Sequence, residues 1–157
     1  MSVERLAART PSVRVVATGF LSGYRLVFDK VSKDGSGKCD CERTDAKDDR
    51  VYGVIYAIDV GERYALDKAE GAGFGYDPCD VNVETGSGTS RAVTYIATNK
   101  HPGLLPYHWY KRHVLTGARK ACLPLNYIAA IEQVESVEDP DPSRAARENG
   151  IYGGPTS

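Results

Sequence analysis

Residues 51–59 constrain the fold more than any other stretch of the chain. Tyr52, Val54, Tyr56 and Ile58 fall on one side of an extended segment, and Gly53, Ile55 and Ala57 on the other. Because both sides are largely apolar, this strand is expected to be central in its sheet. It ends at Asp59, which with Glu62 three residues on has the spacing of a capping box and predicts a helix reaching about Glu70. Leu66, with parts of Tyr64, Ala65 and Ala69, forms the buried side of that helix, and Gly71 stands where a left-handed residue closes a helix. A carboxylate at such a helix end, just ahead of an apolar strand, can be half-buried. That condition raises its proton affinity and makes it a usable proton acceptor. By itself, Glu70 reads as a solvated helix-end carboxylate.

The other elements follow from shorter patterns. Residues 2–9 predict a short helix, with Ser2 as N-cap and Val3, Leu6 and Ala7 on one face, stopped by Thr10-Pro11. Residues 13–18 and 24–29 read as strands; in the second, Tyr24, Leu26 and Phe28 alternate with Arg25, Val27 and Asp29. Residues 30–50 shift to Lys, Asp, Gly and Ser with both charge signs mixed, a solvated face that hides one strand at 39–43. Residues 76–85 and 91–97 make a hairpin about Gly86-Ser87-Gly88. After His101-Pro102-Gly103, the residues Tyr107, Tyr110, Val114, Ala118 and Ala121 keep the spacing of one helical face. Leu123-Pro124 ends that helix and residues 125–134 form another. Residues 136–157, rich in Glu, Asp, Pro and Gly and without period, are expected to be a flexible tail behind a single domain at 1–135. Strands joined by short turns, with helices outside them, predict an α+β fold: a small mixed or antiparallel β-barrel with flanking helices.

Several functional classes are excluded. The net charge of -1 argues against a nucleic-acid partner, which calls for a basic excess. No run of apolar residues is long enough for a membrane helix, and the first residues lack a signal peptide, so a cytoplasmic location is expected. Cys39 and Cys41 are one residue apart, not at the spacing of zinc or redox motifs; with Cys79 and Cys122 they are expected to be free thiols. His108 and His113 point to different sides of their helix, and no His-Glu-x-x-His pattern occurs. Gly71-Ala72-Gly73-Phe74-Gly75 lacks the Lys and the strand-then-helix context of a phosphate loop. No metal and no cofactor are expected. Trp109 suits either the core or a dimer surface.

Taken in order, a set of short motifs resembles the gamma-glutamylcyclotransferase family. They are Gly23-Tyr24-Arg25-Leu26-Val27-Phe28, Val51-Tyr52-Gly53-Val54-Ile55-Tyr56, and Leu66-Asp67-Lys68-Ala69-Glu70-Gly71 followed by Tyr76. Then come Thr94-Tyr95-Ile96-Ala97, Tyr110-Lys111-Arg112, Gly117-Ala118 and Leu123-Pro124-Leu125-Asn126-Tyr127-Ile128. The resemblance covers residues 2–134. It implies a small-molecule γ-glutamyl substrate whose α-amine attacks its own γ-carbonyl, releasing 5-oxoproline and an amine or amino acid. It also implies Glu70 as the general acid and base, Tyr110 as a substrate contact, Tyr76 as a second pocket residue, and favours a homodimer.

Family chains begin with a strand and loop containing Tyr-Gly-Ser-Asn, which this sequence lacks. Met1-Ser2-Val3-Glu4-Arg5-Leu6 looks like what directly follows it, so the true start is expected upstream. A chain truly beginning at Met1 would leave a barrel edge unpaired and act poorly. Two alternatives stay open: a related γ-glutamylamine cyclotransferase or acyltransferase, and a non-catalytic small-molecule binding domain of the same fold.

Overall fold

The computed structural model describes residues 3–70 and 75–152. In chain order these contain α1 (Val3–Ala7), β1 (Arg14–Ser22), β2 (Tyr24–Val31), β3 (Gly37–Arg43), β4 (Arg50–Ala57) and α2 (Arg63–Glu70). The hairpin β5 (Tyr76–Thr85) and β6 (Gly88–Ala97) follows, then α3 (His108–Lys120), α4 (Leu125–Gln133) and α5 (Pro142–Gly150). The fold is α+β with antiparallel strands and flanking helices, as the pattern predicts. Among the described residues the strands form two sheets and no closed barrel: a four-stranded sheet in the order β4-β1-β5-β6, and the ribbon β2-β3.

β1 pairs with β4 along its length but meets β5 only at Gly19 and Phe20. At Gly19 the approach is so close that a Cβ would lie 2.3 Å from the Glu84 carbonyl oxygen, so only glycine fits. β4 is an outer strand of this sheet, not the central one its composition predicts. Apolarity on both sides reports burial of faces, and says nothing about how many edges are paired. Tyr52 stacks obliquely on Phe20 at 5.4 Å and on Tyr127 of α4 at 5.1 Å, while Val51, Gly53 and Ile55 line a cavity.

The capping box is also replaced. Asp59 makes no side-chain cap, and Val60–Glu62 form a single 3₁₀ turn before α2. Glu62 instead accepts from the Ser12 hydroxyl at 2.6 Å, and that hydroxyl accepts the Asp59 N–H at 2.8 Å. The carboxylate therefore ties the helix to the segment before β1.

The main core joins the ribbon to the helices: Phe28 of β2 packs with Ala118, Leu123, Ile128 and Ile131. A smaller cluster of Leu21, Cys41 and Val81 links the ribbon to the four-stranded sheet. The segment expected to be a loose tail carries α5, held against α3 by polar contacts. The indole N–H of Trp109 donates to Asp139 at 2.7 Å, Arg144 grips the same carboxylate, and His113 meets Glu148 at 3.0 Å and Tyr152 at 2.8 Å. Polar docking leaves no hydrophobic period, so composition alone reads as disorder. No helix among the described residues is long and apolar enough to cross a membrane.

Candidate functional site

Tyr76 and Tyr110 meet at one residue of β3. The Cys39 N–H donates to the Tyr110 hydroxyl at 3.1 Å, and the Tyr76 hydroxyl donates to the Cys39 carbonyl at 2.7 Å. Two side chains from distant elements thus take the main-chain groups that a neighbouring strand would otherwise pair. α3 delivers Tyr110, whose ring stands edge-on to Phe28 at 6.4 Å and to Trp109 at 5.9 Å. Burial above all raises the Tyr110 hydroxyl well above the ordinary phenol range, so it acts as a neutral hydroxyl. It is the acceptor towards the Cys39 N–H, and its own hydrogen is directed at the Cys39 thiol. Burial likewise pushes the Cys39 thiol up to about 11 against the hydrogen bond from Tyr110, and the Cys41 thiol up to about 12. Neither is a ready nucleophile.

A β-bulge next to Cys39 determines what else faces this point. Val27 pairs with Asp40 and Lys30 with Lys38, so β2 spends one extra residue here. One extra residue turns the following side chains to the opposite face, which brings Lys30 to the same side as Lys38. The Lys38 ammonium lies 4.7 Å from the ring centroid of Tyr110, 4.8 Å from Trp109 and 5.6 Å from Tyr107. It donates to Asp34 at 2.8 Å and to Ser36 at 2.5 Å. Burial opposes ionisation of Asp34, but the hydrogen bonds from Lys38 and Ser36 outweigh it and hold the carboxyl down at about 2. Lys30 lies over the ring of Tyr76 at 5.0 Å. No periodic signal marks either lysine, because both occupy the charged stretch that reads as a solvated face.

Glu70 is the last residue of α2, six positions before Tyr76. Its side chain, and residues 71–74 with the expected closing Gly71, lie outside the described residues. Gly75 is buried, and its backbone packs against Lys30: a Cβ there would lie 3.3 Å from Cε and 3.4 Å from Nζ. The structure therefore brings Tyr76, Tyr110, Cys39, Lys30 and Lys38 together, and places only the backbone of Glu70.

A cavity of about 620 Å³ lies elsewhere, between the outer strands β4 and β6 and along α2. Leu6, Leu21, Val51, Val81, Leu66 and Tyr95 line it, and neither Tyr76 nor Tyr110 does. At its edge Asp67 accepts from the Tyr95 hydroxyl at 2.5 Å and from Arg63 at 2.9 Å, and these bonds hold its carboxyl below the usual range. Burial, then Asp67, pushes the Tyr95 hydroxyl up to about 12. Among the described residues no group of three or more His, Cys, Asp or Glu side chains is arranged to hold a metal ion.

A model of the AIG2-like family matches residues 50–131, a range that takes in Glu70, Tyr76 and Tyr110. Gamma-glutamylcyclotransferase from Bos taurus is 27% identical over 137 residues, covering 84% of this chain and 72% of that protein. Gamma-glutamylcyclotransferase from Homo sapiens is 28% identical over 138 residues, with 84% and 72% covered. A solved structure described as a gamma-glutamyl cyclotransferase has a TM-score of 0.86 at 24% identity, over 98% of this chain and 93% of its own. A human protein described as uncharacterized has a TM-score of 0.79 at 24% identity, over 92% of both chains. These two structures share the fold.

Proposed function

The chain belongs to the AIG2-like, gamma-glutamylcyclotransferase-like family, and from that premise we propose that it releases 5-oxoproline from a γ-glutamyl amide or peptide. The α-nitrogen of the substrate bonds to its own γ-carbon, the former amide C–N bond breaks, and the departing amine takes up a proton. Nucleophile and electrophile belong to one molecule, so holding the glutamyl group curled supplies much of the rate advantage. The remaining task is proton transfer. The α-amine arrives mainly protonated; Glu70 accepts that proton and returns one to the leaving nitrogen.

The observation that carries this reading is the convergence of Tyr76 and Tyr110 on Cys39, a few residues past the end of α2. Tyr110, a neutral hydroxyl, suits a substrate carboxylate or the Glu70 side chain when its hydrogen turns from the weakly accepting Cys39 thiol. Tyr76 has already donated its hydrogen to Cys39 and serves as a wall of the pocket.

The test is a panel of γ-glutamyl dipeptides and γ-glutamylamines with 5-oxoproline as the readout. Glu70→Gln is expected to abolish release while the thermal midpoint stays in place. Undiminished turnover in that variant would remove Glu70 from the mechanism, and binding without turnover in the parent would favour a binding domain.

A further inference from the structure

We propose that Lys30 is the anchor for a carboxylate of the bound substrate. This inference rests on the γ-glutamyl reading of the site given above and adds to it a residue that selects by charge.

Three lysines form a row across adjacent strand positions. Lys30 stands directly opposite Lys38 on β3, and on its other side it bridges to Lys100, just beyond β6. Like charges placed opposite one another in antiparallel strands repel, so each needs a compensating anion. Two of the three have one. Lys38 pairs with Asp34 at 2.8 Å, and Lys100 pairs with the fully buried carboxylate of Asp40. Lys30, in the middle, forms no ion pair with any described residue. It is half-buried, with its ammonium held over the ring of Tyr76 and against the Gly75 backbone.

An ammonium in that setting has donors to spare and reduced access to water, which is the setting in which an incoming carboxylate forms a strong charge-assisted hydrogen bond. Its position is set by the register slip at the β-bulge: paired in the unslipped register, the same sequence would put Asp29 opposite Lys38 and turn Lys30 to the other side of the ribbon. The occupant is defined by the site: Tyr76 beneath the ammonium is one of the two tyrosines that meet at Cys39. A γ-glutamyl dipeptide carries two carboxylates, one on the glutamyl α-carbon and one on the leaving amino acid.

The experiment compares Lys30→Met with the parent on γ-glutamyl-alanine and on γ-glutamyl-ethylamide, which lacks only the leaving group's carboxylate. Loss of one charge-assisted hydrogen bond lowers kcat/KM by about 10- to 100-fold, expressed mainly in KM. A loss confined to γ-glutamyl-alanine assigns Lys30 to the leaving group's carboxylate. A loss on both substrates, restored in large part by Lys30→Arg, assigns it to the glutamyl α-carboxylate. A loss on both that Lys30→Arg does not restore, or unchanged kinetics on both, overturns the proposal while leaving the cyclisation reading in place. Should the parent release no 5-oxoproline, calorimetric titration with γ-glutamyl-alanine decides. Binding that Lys30→Met abolishes keeps the anchor and removes the enzymatic reading; equal binding, or none to the parent, overturns the anchor.

Discussion

The carboxylate of Asp40 accepts the main-chain N–H of Ala97 at 2.7 Å, and the two residues are 57 apart in sequence. Asp40 is 2% exposed and its second oxygen pairs with Lys100, so one side chain fastens the β2-β3 ribbon to β6. Asp40→Asn keeps an acceptor for Ala97 and frees Lys100 to reach water, so a loss of about 1 kcal/mol is expected. Lys100→Ala strands a buried anion close to Asp29, and the expected loss is larger, about 3 kcal/mol. Urea unfolding at neutral pH measures both, and the reverse order would show that the Asp40 carboxylate is held by groups other than Lys100.

The two tyrosines at Cys39 are predicted to be unequal. Tyr110→Phe leaves a buried N–H donor unpaired, at a cost of about 2 kcal/mol, whereas Tyr76→Phe leaves a carbonyl, which tolerates under-satisfaction better and costs about 1 kcal/mol. Denaturant midpoints of the two variants test the order. Equal effects would mean that water replaces both hydroxyls.

Asp34 makes stability depend on pH in the acid range. Its folded-state pKa of about 2 lies below the ordinary 3.8. A group depressed on folding stabilises fully above its unfolded pKa and loses that contribution as pH falls through its folded pKa. About 2 kcal/mol should therefore disappear between roughly pH 4 and pH 2. In Lys38→Met the main cause of the depression is gone, and the acid limb of a plot of stability against pH should flatten over that window. A limb of unchanged steepness would place the linkage on other carboxylates.

Trp109 is the only tryptophan of the chain and is 5% exposed, so intrinsic fluorescence reports the docking of α5. Asp139→Ala removes the acceptor of the indole N–H and the partner of Arg144 together. The expected result is emission at longer wavelength with faster proteolysis of residues 138–152, while the far-ultraviolet dichroism of the strands persists. Unaltered emission would show that α5 is held mainly through His113 and Tyr152.

What could be read in advance follows how far each signal is local. β4, the β5-β6 hairpin and α3 announce themselves because alternation or helical spacing in a short window is enough. β3 is harder: Lys38 and Asp40 look like solvent-facing charges, and their partners include rings of α3 and the end of β6. α5 is harder still, since Asp139, Arg144 and Glu148 dock by polar contacts that leave no period. Glu70, Tyr76 and Tyr110 stand out only through the resemblance carried by the ordered motifs. The meeting of the two tyrosines at Cys39 is a fact of three dimensions, and no spacing along the chain encodes it. The same holds for Lys30, whose direction depends on a register slip that periodicity cannot detect.

That slip gives the chain an unusual mode of variation. In most strands the loss of one residue turns every later side chain to the opposite face. In β2, removing a single residue at Phe28–Asp29 would restore plain pairing from Val27 with Asp40 to Lys30 with Lys38, and leave Lys30 where it stands. A one-residue deletion at the bulge would then keep the cation beside Tyr76. The bulge is thus the one point of β2 at which chain length can change without changing the charge on this face.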